Sequence, residues 1–206
     1  MTPISTSEVV SCAQHFREAA RLARRRRVTC ACSAAEGAMR STAILSEALA
    51  PRDVDWLADV VRPRRFDSGD VLIAEGAAPA TLWLVLSGEA VVATKAAGVV
   101  ARVGVGDLLG EVSFVDRLPA TATVAADGPV VAAEIPCAPL ETRLAENGEF
   151  SVRFYKALAA FLARRLRVAL GVAAAGEGLA SRRDADEEGA AAPDPLTARL
   201  RARLDA

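Results

Sequence analysis

Histidine is almost absent from this chain, and lysine is scarce. The 206 residues include one histidine, His15, and two lysines, and a Lys+Arg total of 25 against an Asp+Glu total of 26 leaves a net charge of −1. A balanced charge gives no electrostatic case for binding nucleic acid. A single histidine near the N-terminus removes histidine-based acid–base catalysis and histidine-rich metal sites from the rest of the chain.

Long hydrophobic runs are also missing. The apolar stretch 168–175 contains a glycine and is far shorter than the ~20 residues that a membrane span needs. The N-terminus lacks the basic-then-apolar layout of a secretory signal, and four cysteines without such a signal do not indicate a disulfide scaffold. We therefore expect a cytoplasmic protein with reduced cysteines.

Motifs of the common enzyme classes are missing as well. The sequence has no P-loop, no Gly-x-Ser-x-Gly nucleophile motif and no cluster of nucleophile, base and carboxylate in its central part. Cys12, His15, Cys30 and Cys32 have side chains that could ligate zinc, but the C-x-C pair is spaced more closely than the cysteine pairs of zinc sites. The sequence therefore predicts a protein that is not an enzyme and holds no metal.

Composition separates a central segment from two extensions. Residues 1–40 hold one short amphipathic stretch and the arginine run 24–27, and we expect them to be disordered or to precede a true start at Met39. The arginine run is read as a solvated tail, with a nucleic-acid or anionic-membrane patch as the alternative. Residues 171–206 are rich in Ala, Gly, Pro and acidic groups and are also expected to be disordered, with a frayed helix at the end. This places the folded unit at residues 42–170.

The central segment changes its hydrophobic period twice. Residues 41–65 have helical spacing, and Pro51 before Asp53 indicates a helix start. Residues 138–170 are helical again: a short helix opened by Pro139 precedes a long helix at 149–170. Its apolar stripe consists of Phe154, Leu158, Phe161 or Leu162, and Leu166, and it continues to Ala169 and Leu170. Between these helical segments, short apolar runs divided by Gly, Pro, Asp and Ser predict an all-β sandwich or roll. The runs are 71–74, 82–87, 89–94, 98–105, 121–126 and 130–135.

One segment carries chemistry, GDLLGEVSFVDRLPATATV at 106–124. A short apolar piece leads into Gly110-Glu111, about one helical turn follows, and a loop ending at Pro119 leads to a Thr-rich strand. A helix start beside a glycine offers free N–H groups to an anion. Glu111 stands where a carboxylate could accept a hydrogen bond from a sugar hydroxyl.

At these residues the sequence resembles a known family, the cyclic nucleotide-binding domain of the cAMP receptor protein (Crp/Fnr) and of protein kinase A regulatory subunits. The resemblance runs from about Leu45 to Leu170, and its features follow the family's order. They are FDSGDVLIAEG at 66–76, LWLVLSGEAVV at 82–92, GDLLGEVSF at 106–114 and PATATVAA at 119–126, followed by a short and a long helix. The form is that of a stand-alone, bacterial-type domain.

The resemblance implies a mainly β fold, an eight-stranded β-roll with flanking helices and a long C-terminal helix. It also implies cAMP or cGMP as the ligand, held by a phosphate-binding cassette at 109–123. In this cassette Gly110 and Val112 would donate backbone N–H groups, and Glu111 would take the ribose 2′-hydroxyl. Thr121 matches the Ser or Thr that follows the family's phosphate-binding arginine. The implied ligand-binding residues are Leu109, Gly110, Glu111, Val112, Ala120, Thr121 and Thr123.

The cassette departs from the family at its cation. Counted from Gly110-Glu111 through Pro119, the family's arginine falls on Ala120, so a methyl group replaces the only full positive charge that would face the phosphate. A charge-assisted hydrogen bond contributes roughly 1.5–3 kcal/mol, which predicts roughly 10- to 150-fold weaker binding. Arg117, three residues upstream, is the one candidate to replace that charge, although an exposed loop arginine is more often solvated.

These observations predict a regulatory sensor with weak ligand affinity and leave two alternatives. One is a docking or oligomerisation module that no longer binds nucleotide. The other is a Crp/Fnr-type transcription factor, which needs roughly 60–70 residues of helix-turn-helix after the long helix, where this chain has 36. We therefore expect no specific DNA binding. The stripe on 149–170 serves either a homodimer or packing against its own roll. The protein partner stays unknown.

Overall fold

A computed structural model of the chain describes residues 41–170 together with Leu196 and Arg199. The extension 1–40, with its arginine run and its cysteines, lies outside the described residues, as does most of 171–206. Two helices come first, α1 Ser41–Ala48 and α2 Pro51–Val60. A third, α3 Glu111–Asp116, interrupts the strands, and α4 Cys137–Glu146 and α5 Gly148–Ala169 follow them. The strands are β1 Arg62–Phe66, β2 Val71–Ile73, β3 Thr81–Ser87, β4 Ala90–Thr94, β5 Gly98–Val103, β6 Leu108–Leu109, β7 Thr123–Ala126 and β8 Val130–Pro136.

The eight strands form two antiparallel four-stranded sheets, which confirms the predicted β-roll with flanking helices. One sheet has the order β1-β8-β3-β6 and the other the order β2-β7-β4-β5. All six strand runs predicted from the sequence are strands, with ends that differ by a few residues. β6 is only two residues long, and its pairing with β3 places Leu109 opposite Trp83.

The prediction of a helical segment through residue 65 was wrong at its end. Residues 62–66 are β1, whose register with β8 sets Arg62 opposite Glu134 and Phe66 opposite Val130. The first four side chains of this edge strand are exposed, so it lacks the alternation of apolar and polar residues by which a strand is recognised. Proline and charge are common on edge strands, because they discourage further pairing. Pro51 opens α2 as predicted, whereas α4 begins two residues before Pro139.

The core has two layers, separated by the sheet that contains β3 and β8. One layer fills the space between the sheets, where Val85, Leu109 and Val130 meet. The other lies between the outer face of that sheet and the helices, where Leu82, Leu84 and Leu86 pack against Phe150, Phe154 and Leu158. Alternate residues of β3 thus serve opposite layers, as the two-residue period of a strand requires.

Helix α5 packs on the roll through the first half of its predicted stripe. Phe154, Leu158 and Phe161 are buried, but Leu166 and Leu170 are exposed by 59% and 67%.

A buried ion pair fixes the start of helix α5. Arg153 Nε donates to Asp53 Oδ2 of α2 at 2.8 Å, and the Asp53 side chain is fully buried. The same oxygen accepts the Ala50 N–H at 3.0 Å, so one carboxylate caps α2 and anchors α5.

Candidate functional site

The predicted cassette begins where β6 ends and α3 starts. Gly110 lies at that junction with φ +86°, a left-handed conformation that favours glycine. Space excludes other residues as well, because a Cβ here would lie 3.0 Å from the Thr81 carbonyl oxygen and 3.5 Å from the Ile73 side chain. Gly110 therefore lets the start of α3 lie directly against the β2–β3 segment.

Helix α3 begins at the position that the sequence predicts for a helix start. The Phe114 N–H donates to the Gly110 carbonyl at 3.0 Å and makes the first bond of the helix. The N–H groups of Val112 and Ser113 precede that bond and have no backbone partner within the helix. The Glu111 N–H donates to its own carboxylate. The Val112 side chain is 41% exposed, whereas Leu109 is buried in the roll. Leu109 therefore supports the site from the core, and Val112 lies at its surface.

The far end of the cassette is tied to the loop between β2 and β3. The Ala120 N–H donates to the Ala77 carbonyl at 2.8 Å, and the Gly76 N–H donates to the Ala120 carbonyl at 2.7 Å. Thr123 is buried, and its Oγ1 accepts the Glu75 N–H at 3.1 Å. Thr121 is exposed between these two attachments. Since Gly110 also approaches Ile73 of β2, the structure brings both ends of the cassette to one end of the same strand.

Glu111 is not free to accept a sugar hydroxyl without losing a partner. Its side chain is 2% exposed and forms an ion pair and hydrogen bond with Arg165 of α5. Burial raises the pKa of the Glu111 carboxyl, and the attraction of Arg165 opposes that rise. The Arg165 guanidinium also lies 4.9 Å from the centroid of the Phe161 ring. Sequence reasoning did not find Arg165, because the pair spans 54 residues and depends on how α5 crosses α3.

Arg117, the candidate replacement cation, has other partners. It ends α3 in a left-handed conformation with φ +62°, and it pairs with Glu141 of α4. Its guanidinium lies 5.0 Å from the centroid of the Phe114 ring, and the hydrogen bond to Glu141 raises its pKa. No other Arg or Lys occurs between residues 109 and 123. The cassette therefore contains one basic side chain, that of Arg117, and this side chain is paired with Glu141 of α4.

Three further features of the described residues concern metal binding, thiol reactivity and membrane crossing. Within the part of the chain that the structure describes, no cluster of three or more His, Cys, Asp or Glu could hold a metal ion. Cys137 is buried against the roll, and burial raises the pKa of its thiol to about 11, so at neutral pH it is a poor nucleophile. Over these same residues, no helix has the length and apolar character to cross a bilayer.

Comparison with known proteins agrees with this geometry. The family model described as "Cyclic nucleotide-binding domain" matches residues 63–147, which include the roll from β1 to β8, the cassette and α4. Residues 63–147 are a domain of the cyclic nucleotide-binding family. The predicted cassette at 109–123 lies within these matched residues.

The cyclic nucleotide-binding domain has relatives among regulatory proteins. The cAMP-dependent protein kinase regulatory subunit of Yarrowia lipolytica is 39% identical over 92 residues, 44% of this chain, and that of Eremothecium gossypii is 35% identical over 82 residues, 40% of this chain. The matched regions cover 24% and 18% of these two relatives.

Solved structures share the fold of this domain. The Thermus thermophilus catabolite activator protein is 28% identical with a TM-score of 0.51, and the match covers 61% of this chain and 59% of that one. The N-terminal domain of a transcriptional regulator from Streptomyces coelicolor A3(2) is 26% identical with a TM-score of 0.52, and the match covers 68% of this chain and 96% of that one.

Proposed function

We propose that this chain is a non-enzymatic regulatory module whose cyclic nucleotide-binding domain has weak affinity for cAMP and cGMP. Two features support ligand binding, the start of α3 behind Gly110 and the attachment of Ala120 and Thr123 to the β2–β3 loop. One observation carries the prediction of weakness. The cassette has alanine at position 120, and its single arginine is paired with Glu141.

Binding of a cyclic nucleotide removes one negative charge from water, which costs free energy. A cyclic phosphate that enters the cassette loses its hydration, and that loss has to be offset by groups of the protein. The N–H groups at the start of α3 offset part of it through their partial positive charge. A guanidinium at position 120 would add a permanently charged, planar donor pair, and the Ala120 methyl group adds none.

Ala120→Arg tests this argument. We expect the variant to bind cAMP roughly 10- to 150-fold more tightly than the unmodified chain, measured by isothermal titration calorimetry. Ala120→Gln controls for side-chain size without charge. Leu118→Arg controls for added charge, because Leu118 is 59% exposed on the same loop. Neither control is expected to change affinity more than about threefold.

A second candidate, a docking module without nucleotide binding, is favoured by the ion pair between Glu111 and Arg165. A ligand hydroxyl on Glu111 would compete with a charged partner that is already in place. If Ala120→Arg gains no affinity and its fold is intact by circular dichroism, the docking module replaces the sensor. Equal gains in Ala120→Arg and Leu118→Arg would contradict a specific role for position 120.

We also propose that α5 can associate with a second copy, through a stripe that shares only Leu162 and Leu166 with the one predicted. The predicted stripe is largely occupied by the roll, where Phe154, Leu158 and Phe161 are buried. A second stripe remains at the surface, with alternating spacings of three and four residues that are typical of a coiled-coil seam. Its members are Val152, Tyr155, Ala159, Leu162 and Leu166, all exposed except the half-buried Leu162.

A further inference from the structure

One residue of the predicted tail lies in the helix-facing layer of the core. Leu196 is 2% exposed and belongs to the apolar cluster between the sheet and the helices. It lines an apolar groove together with residues of α1, α2, α5 and the strands β3, β6 and β8. The groove is lined by Leu45, Leu57, Val61, Leu82, Leu84, Leu108, Ile135 and Phe154. The composition of this segment does not predict a contact with the roll, since an Ala-, Gly- and Pro-rich stretch precedes it.

Arg199 adds a polar contact beside the groove. It is helical, as Leu196 is, and it forms an ion pair with Asp55 of α2. Residues three apart lie on neighbouring positions of a helix surface. Leu196 and Arg199 therefore place a leucine at the groove and an arginine on its acidic border.

The sequence extends the same pattern on both sides of the contact. Leucines recur at 196, 200 and 204, and arginines at 199 and 203, as in an amphipathic helix. Asp194 and Pro195 come directly before Leu196, a usual start of a helix. The exposed face of α2 has acidic residues with the matching four-residue interval, Asp55 and Asp59.

We propose that this groove is a binding site for a helical segment with the pattern Leu-x-x-Arg, and that Leu196 and Arg199 of the same chain occupy it. The leucine supplies apolar burial, and the arginine selects for the acidic face of α2. A helix of another protein with the same pattern would compete for the groove by displacing this segment. None of the residues that line the groove belongs to the cassette at 109–123, and a cAMP titration tests the proposed function separately from this site.

Substitution of the leucine in the full chain tests the contact. We expect Leu196→Asp to lower the melting temperature by about 5–10 °C and to increase binding of an apolar dye such as ANS. Leu170→Asp is the matched control, since Leu170 is 67% exposed, and it should change neither. If Leu196→Asp does not fold, Leu196→Ala provides the same comparison with a smaller shift. Equal behaviour of the Leu196 variant and the Leu170 control would overturn the proposal.

A labelled peptide of residues 193–206 tests the groove as a binding site. We expect the peptide to bind the Leu196→Asp chain at least tenfold more tightly than the unmodified chain, whose groove is occupied. A peptide with Leu196→Asp should bind neither. Arg199→Asp in the peptide should weaken binding to the Leu196→Asp chain, and Asp55→Arg in that chain should restore it. Equal binding of the unmodified peptide to both chains would contradict the site. Conversion of a dimer to a monomer by Leu196→Asp would assign the groove to a neighbouring copy and overturn the intramolecular arrangement.

Discussion

At the residue scale, the charge of the cassette depends on two positions, Ala120 and Glu111. Its backbone has the left-handed glycine and helix start that an anion site needs, but Ala120 leaves out the cation and Arg165 occupies the carboxylate of Glu111. Backbone geometry is set by local sequence, so it persists when a side chain is replaced. A charge cannot be supplied by the backbone to the same degree, because helix N–H groups carry only partial charges.

The pKa of Glu111 gives the first prediction. Burial raises the pKa of this carboxyl above its ordinary value, so the folded protein binds the proton more tightly than the unfolded chain does. The stabilisation is therefore fully present below the unfolded pKa and is lost as pH rises through the folded pKa. We expect the free energy of unfolding of the unmodified chain to fall relative to that of Glu111→Gln as pH rises from about 4 to 8.

Urea denaturation of both proteins across this range measures the difference. Glu47→Gln is the control, because Glu47 is an exposed carboxylate on α1. A difference between the unmodified chain and Glu111→Gln that stays constant with pH would show that burial does not govern this carboxylate.

The start of α3 could be predicted from the sequence, because it depends on neighbouring residues. Gly110 and Glu111 stand together in a motif whose order and spacing indicate a helix start, and the structure places them there. The partners of the charged side chains could not be predicted. Glu111 meets Arg165 and Arg117 meets Glu141 across 54 and 24 residues, so each pairing depends on how the helices pack against the roll.

At the scale of elements, α5 has two different apolar surfaces. The spacing of its apolar residues predicts an amphipathic helix, but this spacing does not show which of them face the roll. In the structure, Phe150, Phe154 and Phe161 face the roll, while Tyr155 and Leu166 face outward. Strand β1, by contrast, has no apolar pattern from which it could be predicted, because its first four side chains are exposed. It is a strand because it pairs with β8.

The outward surface of α5 gives a prediction about self-association. We expect the unmodified chain to form a dimer, and we expect Tyr155→Glu combined with Leu166→Glu to shift it to monomer, because like charges would meet along the seam. Val100→Glu is the control, since Val100 is 41% exposed on β5. Analytical ultracentrifugation distinguishes the states. A dimer that survives the double substitution would place the interface elsewhere, and a monomeric unmodified chain would contradict the proposal.

At the scale of the whole molecule, the boundaries of the folded unit remain a prediction. The sequence places them at residues 42–170, where all strong periodic signal lies. The buried position of Leu196 adds one contact beyond that span, which the composition of the tail did not indicate.

Removal of the N-terminal extension tests the first boundary. We expect a chain that begins at Met39 to melt within a few degrees of the full chain, because residues 1–38 offer only one short amphipathic stretch for packing. Differential scanning calorimetry of the two chains measures this. A decrease of 10 °C or more, on the order of several kcal/mol, would mean that the extension packs on the domain.

The central claim is that the cassette without an arginine at position 120 binds cyclic nucleotide weakly, and a calorimetric titration of the unmodified full chain with cAMP tests it most directly. The predicted result is a dissociation constant weaker than about 1 μM, which corresponds to a binding free energy smaller in magnitude than about 8 kcal/mol. Submicromolar binding would contradict the account, and the loss of that affinity in Arg117→Ala would then assign the missing charge to Arg117.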